Sequence, residues 1–334
     1  MSIWKYFFLF IILSYNSFGQ GLKTNGDKIV DHNGNEVILR GMGLGGWMLM
    51  EGYMMQSSDV ADTQHEFRER LIELIGTAKT DEFFDSWHKN HVTKADIDSL
   101  ASWGFNSVRL PMHYNLFTLP IQDEPISGEN TWLEKGFTMV DELLDWCKSN
   151  EMYLILDLHA APGGQGANAA ISDYDSDLPS LWESNENKSK TVALWKKLAE
   201  RYKSEKWLGG YDLLNEVNWT LENKNEDLRL LYKQITDSIR SVDTDHIIFI
   251  EGNGFANDFT GLTPPWDDNM VYSFHKYWSA NNDGSIGWVL KIREEHNVPL
   301  WMGESGENSN VWFRDAIKLF EDNKIGWSWW PMKR

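Results

Sequence analysis

Short apolar runs recur along the chain at residues 37–42, 106–110, 153–158, 211–214, 247–250, 270–274, 300–302 and 325–330. Between them lie longer segments in which apolar residues return at helical spacing, at 94–103, 133–149, 189–203, 227–242, 286–296 and 311–321. Short continuous runs fit strands buried on both faces, and the helical period fits helices packed over them. Strands and helices alternating in this way predict an α/β protein, a (β/α)8 barrel, with a doubly wound sheet as the alternative. Residues 22–39 alternate apolar and polar positions around His32-Asn33-Gly34-Asn35, which predicts a β-hairpin with an Asn-Gly turn ahead of the barrel. No low-complexity linker, charge block or fixed repeat interrupts the pattern, so residues 20–334 read as one domain. The chain stops at Pro331-Met332-Lys333-Arg334, directly after the last apolar run. The pattern therefore leaves no eighth helix, and a truncated C-terminus is expected.

Polar residues collect at the ends of these runs: Arg109, Asp157 and His159, Asn215-Glu216, Glu251, His275-Lys276-Tyr277, Glu304 and Trp329-Trp330. An open sheet would gather ligands at one crevice, whereas a barrel gathers them from all its strands. Asn215-Glu216 could deliver a carboxylate to a pocket or start a helix, since Asn caps well and Glu favours a first turn. A second carboxylate, Glu304, ends Val298-Pro299-Leu300-Trp301-Met302-Gly303 and favours the pocket. On the fourth and seventh strands of a ring the two would face each other, the arrangement that glycoside hydrolysis needs. Glu216 then serves as acid/base, its pKa raised by the negative neighbour, and Glu304 as nucleophile, kept ionised by a cation such as Arg109. Arg109 inside Val108-Arg109-Leu110-Pro111 needs a buried partner. His159 and His275 share strand-end placement and are read as site residues. Glu51 and Glu251 stay open between helix capping and substrate contact, and Trp47 reads as core. His88 and His91 have helical spacing without the acidic partner of a zinc enzyme, so they are read as surface, and neither metal nor cofactor is expected.

Several ordered motifs resemble glycoside hydrolase family 5, the cellulase-like retaining enzymes. Arg40-Gly41-Met42-Gly43-Leu44-Gly45-Gly46-Trp47 is similar to the family's first strand, and Gly104-Phe105-Asn106-Ser107-Val108-Arg109-Leu110-Pro111 to its second. Leu158-His159-Ala160-Ala161-Pro162-Gly163-Gly164-Gln165 resembles its third-strand motif, and Leu214-Asn215-Glu216, His275-Lys276-Tyr277 and Gly303-Glu304-Ser305 complete the set. The resemblance implies a (β/α)8 hydrolase domain with Glu216 as acid/base and Glu304 as nucleophile. It also implies that Asn215 bonds the sugar 2-hydroxyl, that Arg109 and Tyr277 hold Glu304, that His159 and His275 line the cleaved subsite, and that Trp330 is its floor. Glu51 joins this set as a candidate substrate contact. Val217 stands where the family usually has Pro, and Gly43 where many members have Asn.

Composition adds location and partner. Lys5, the apolar run from Tyr6 to Leu13 and Ser17-Phe18-Gly19 form the pattern of a secretory signal peptide over residues 1–19, too short to span a bilayer. A secreted, monomeric protein is expected. Its formal net charge of −19 argues against nucleic acid and anionic membrane and fits a neutral glycan. Cys147 is the sole cysteine, so no internal disulfide is available and a buried thiol is expected. Eighteen tryptophans exceed what a core needs, and some are expected to stack on sugar rings. The resulting expectation is a retaining β-glucanase of endo-acting, cellulase-like type. An exo-1,3-β-glucanase or a β-mannanase is the alternative within the family, with specificity residing in residues 163–182, which include Asp173, Tyr174, Asp175 and Trp182. Outside it stand a non-catalytic carbohydrate-binding barrel and a metal-dependent hydrolase; the latter lacks any His-x-His.

Overall fold

The structure, a computed structural model, describes residues 21–333, so the predicted leader at 1–19 lies outside the described residues. Strands β1 (Lys23–Asn25) and β2 (Lys28–Val30) pair antiparallel, with Asn25 opposite Lys28. The tight turn of this hairpin is thus Gly26-Asp27, with Gly26 at φ 59°. The predicted Asn33-Gly34 turn also forms, one reversal later. There the Asp31 carboxylate accepts from the Asn33 and Asn35 amides at 2.9 and 2.8 Å, and the turn closes a single bridge between Val30 and Glu36.

Eight parallel strands close a barrel: β3 (Arg40–Gly43), β4 (Ser107–His113), β5 (Tyr153–Ala160), β6 (Leu208–Asp212), β7 (Ile247–Glu251), β8 (Met270–His275), β9 (Leu300–Gly306) and β10 (Gly326–Trp330). The last pairs back onto β3, Trp327 beside Arg40. Every residue from β4 to β10 within these strands is buried. The helices longer than one turn are α1 (Gln64–Ile75), α2 (Thr77–Asn90), α3 (Lys94–Ser102), α4 (Glu134–Ser149), α5 (Asn185–Tyr202), α6 (Glu226–Arg240), α7 (Asp283–His296) and α8 (Asn310–Asp322). The six predicted helices are α3 to α8. Helices α1 and α2 are an addition between β3 and β4, started by a capping box in which Thr63 and Glu66 bond each other's backbone amides at 3.3 and 3.2 Å. Between β7 and β8 no helix longer than one turn forms, only the short turn Asn253–Ala256. Among the described residues no helix follows β10, and none is long and apolar enough to cross a membrane.

Two cores hold this together. The larger fills the space between barrel and helices; the smaller joins Leu22 and Ile29 of the hairpin to Leu39, Tyr153, Ile247 and Trp301 inside the barrel. The hairpin thus plugs the end where strands begin and leaves the carboxyl end for chemistry. Cys147 is buried in α4, as expected, and burial pushes its thiol pKa up. Trp47 is core, its indole N–H donating to the His88 carbonyl at 2.7 Å. The surface reading of His88 and His91 is corrected: α2 folds back over the β3 loop, burying His88 beside Phe84 and stacking His91 on Trp87 at 4.5 Å. Burial holds the His88 pKa down at about 4.

Candidate active site

The strand ends deliver their polar groups to one cleft of about 470 Å³, walled by Glu51, His159, Glu216, His275, Tyr277, Glu304 and Trp330 among the predicted residues. Glu216 follows β6 in a left-handed backbone conformation, φ 41°, held because its amide donates to the Glu251 carboxylate at 2.7 Å. Its Oε1 meets His275 Nδ1 at 2.7 Å, and His275 Nε2 meets Glu251 at 3.1 Å. Glu304 accepts from the Tyr277 hydroxyl at 2.7 Å and from Arg109 Nη1 at 2.9 Å. One carboxylate oxygen each from Glu216 and Glu304, with a ring nitrogen of His275, lie within 4.8 Å of one another. That spacing could hold a divalent ion, yet the three groups already hydrogen-bond one another or their neighbours.

Arg109 and Asn215, both expected among the substrate-binding residues, are buried and are not part of the cleft wall. Arg109 is fully buried and reaches Asp212, Asp157, Glu251, Glu304 and the Asn215 carbonyl, because an interior cation needs several partners. Asn215 is equally buried, its Oδ1 fixed by Arg109 at 2.8 Å and its Nδ2 turned to His159 Nε2 at 3.2 Å. His159 is held by Asp157 at 2.7 Å and lies 3.8 Å from Glu51. Its ring stacks on Trp330 with centroids 5.0 Å apart and planes 8° apart. The Trp330 indole donates to the Tyr53 hydroxyl at 2.9 Å. A Cβ at Gly43 would stand 2.9 Å from this ring and one at Gly45 2.6 Å from it. The departure from Asn at Gly43 therefore makes room for the indole. Val217 is wholly buried beside Glu216.

Burial dominates the electrostatics. It pushes Glu51 up to about 7 against the pull of His159. Burial and the Glu216 carboxylate raise Glu304, with His275, Arg109 and His159 opposing. The cation expected to keep Glu304 ionised, Arg109, does reach it, but that one guanidinium is divided among four carboxylates and the Glu304 pKa stays raised. Burial disfavours charged His159 too, but Asp157 and Glu51 outweigh it and hold its pKa at about 10.

Sequence reasoning left Glu251 open, and it proves neither a helix cap nor part of the cleft wall. It also missed the cleft aromatics Trp278 and Phe255, 70% and 44% exposed. Trp278 directly follows Tyr277 at a strand end, the signal that could have found it. In the stretch 163–182, Asn168 and Ile171 line the cleft. Asp173 instead bridges His65 and His113 at 2.8 Å each, and the Trp182 indole bonds the Gln165 carbonyl at 2.8 Å.

The family model for cellulases, glycosyl hydrolase family 5, matches residues 60–334. The chain belongs to this family. As a family 5 member it is a glycoside hydrolase acting on a β-glycan. It is 35% identical to a β-xylosidase from Phanerodontia chrysosporium, over 93% of this chain and 70% of that protein. Endoglucanase C of Acetivibrio thermocellus is 31% identical over 76% of this chain and 86% of its own. A β-glucanase structure from Saccharophagus degradans superposes with a TM-score of 0.62 at 18% identity, covering 93% of this chain and 84% of that one. At that identity the likeness carries the barrel fold alone.

Proposed function

We propose that this family 5 hydrolase is an exported, monomeric β-glucanase that cleaves with retention of configuration, by double displacement on Glu216 and Glu304. The observation that carries the mechanism is the approach of the two carboxylates to within 4.8 Å. Inverting sites hold theirs roughly 6.5–9.5 Å apart to admit water, whereas retaining ones need direct attack across about 5 Å. Glu304, oriented by Arg109 and Tyr277, attacks the anomeric carbon while Glu216 protonates the departing oxygen. Glu216 then takes a proton from water, which displaces Glu304 from the covalent glycosyl-enzyme. Asn215 Nδ2 supports the 2-hydroxyl, His159 and His275 flank the cleaved sugar, Trp330 is its floor, and Glu51 meets a hydroxyl at the inner end.

The substrate reading draws support from the endoglucanase relative and the aromatic cleft. The β-xylosidase relative favours a second reading, removal of a terminal xylose. The test is sugar release by the purified chain from cellulose derivative, mixed-linkage glucan, 1,3-glucan, mannan and an aryl β-xyloside, with the first-formed anomer read by NMR. Release of the β-anomer from a glucan, absent in Glu304→Ala and partly restored there by azide, supports the reading. An α-anomer, or unchanged turnover in Glu304→Ala, refutes it.

A further inference from the structure

The four carboxylates that share Arg109 are not equally provided for. Asp157 also meets His159 at 2.7 Å, Glu251 meets His275 at 3.1 Å and the Glu216 amide at 2.7 Å, and Glu304 meets the Tyr277 hydroxyl at 2.7 Å. Asp212 has Arg109 Nε at 3.0 Å on one oxygen, and its Oδ1 is buried without a hydrogen-bond partner. Asp157 also has one bare oxygen, but its other oxygen faces two cationic side chains. The Asp212 side chain is wholly buried at the end of β6. Around it stand Asp157 on β5, Arg109 on β4, Glu251 on β7, His275 on β8 and the Tyr232 hydroxyl on α6. An anion with a bare oxygen beside two other carboxylates is poorly tolerated in a dry interior, and a neutral acid is far better placed there.

We propose that Asp212 is a protonated, neutral acid in the folded enzyme at neutral pH, a positioning residue that fixes Arg109 Nε as a dipole. Burial and the Glu251 carboxylate push its pKa well up against the pull of Arg109, in the same direction. A neutral Asp212 leaves the Arg109 charge to Asp157, Glu251 and Glu304. An ionised one would divide it further and weaken the hold on Glu304. That consequence rests on Glu304 as the nucleophile; the protonation itself does not.

Aspartate-selective carboxyl 13C labelling of the full chain separates Asp212 from the cleft's glutamates, which stay silent. The expected NMR spectrum at neutral pH shows one aspartyl carboxyl at the protonated position, lost in Asp212→Asn. No such signal in the wild-type chain overturns the proposal without any variant, as does a signal that survives Asp212→Asn. Asp212→Ala, which removes the dipole, should lower kcat/KM about tenfold and move the acidic limb of the pH profile upward, and Asp212→Asn should rescue both. An Asn variant as impaired as the Ala variant, though folded, overturns the positioning role. Full activity in Glu304→Ala would instead remove the mechanism and leave the NMR result standing.

Discussion

Glu251 does not line the cleft, yet it ties together the Arg109 guanidinium, the His275 ring and the Glu216 amide. Burial alone would raise its pKa; His275, Arg109 and the amide overcome this and hold it at about 2. Removing one partner of a buried charged network costs about 3–5 kcal/mol, so Glu251→Gln should lower stability at neutral pH by that order. Because the folded pKa lies below the ordinary 4.5, this contribution is present above 4.5 and fades as pH falls towards about 2. Urea unfolding of both chains from pH 7 down to 3 should show the gap closing below 4.5; a constant gap would refute the charged role. The proposed acid, Glu216, has its own signature. Glu216→Ala should lose about a hundredfold or more on alkyl and sugar leaving groups and far less on a dinitrophenyl glycoside, which needs little protonation. Equal losses across leaving groups would remove Glu216 from the acid role.

The strand-end loops set what reaches these residues. Trp278 stands at φ 50° with its ring 70% exposed over the cleft, beside the Tyr277 that binds Glu304. Phe255 stands at φ 58°, and its amide bonds the Val217 carbonyl at 3.1 Å, next to Glu216. Rings held out at some backbone strain suit the sugar on the leaving side. Trp278→Ala should therefore cut kcat/KM on a cello-oligosaccharide about tenfold, or ~1.4 kcal/mol, and leave a glycosyl fluoride, which has no leaving sugar, almost unchanged. An equal fall on both substrates would place the ring elsewhere. Elements such as β4 to β10 were legible in the sequence because strands buried on both faces are written as continuous apolar runs. Helix α1 was not, since its single buried residue is Gln64 and no apolar stripe marks it. The left-handed turn at Gly254 and Phe255 has no pattern to read. Asp212 was hidden by the apolar residues around it, and Glu251 was visible at its strand end but its partners were not. The two carboxylates were legible because each ends an apolar run.

For the whole molecule, charge decides which glycans approach. The chain carries a formal net charge of −19, and Glu51, Glu216, Glu304 and Glu307 all face the cleft. A neutral glucan meets no long-range field, whereas a carboxymethylated one is repelled before it reaches the cleft. Repulsion between separated, solvated charges is screened as the Debye length falls from about 30 Å at 0.01 M salt to about 8 Å at 0.15 M. Raising salt over that range should therefore increase kcat/KM on carboxymethyl cellulose several-fold and change it less than about twofold on neutral mixed-linkage glucan. The comparison cancels any effect of salt on the fold, because both substrates meet the same protein. Should the two respond alike, the acidic surface plays no part in substrate approach, and selectivity among glucans lies wholly in the cleft contacts of Trp278, Phe255 and Trp330.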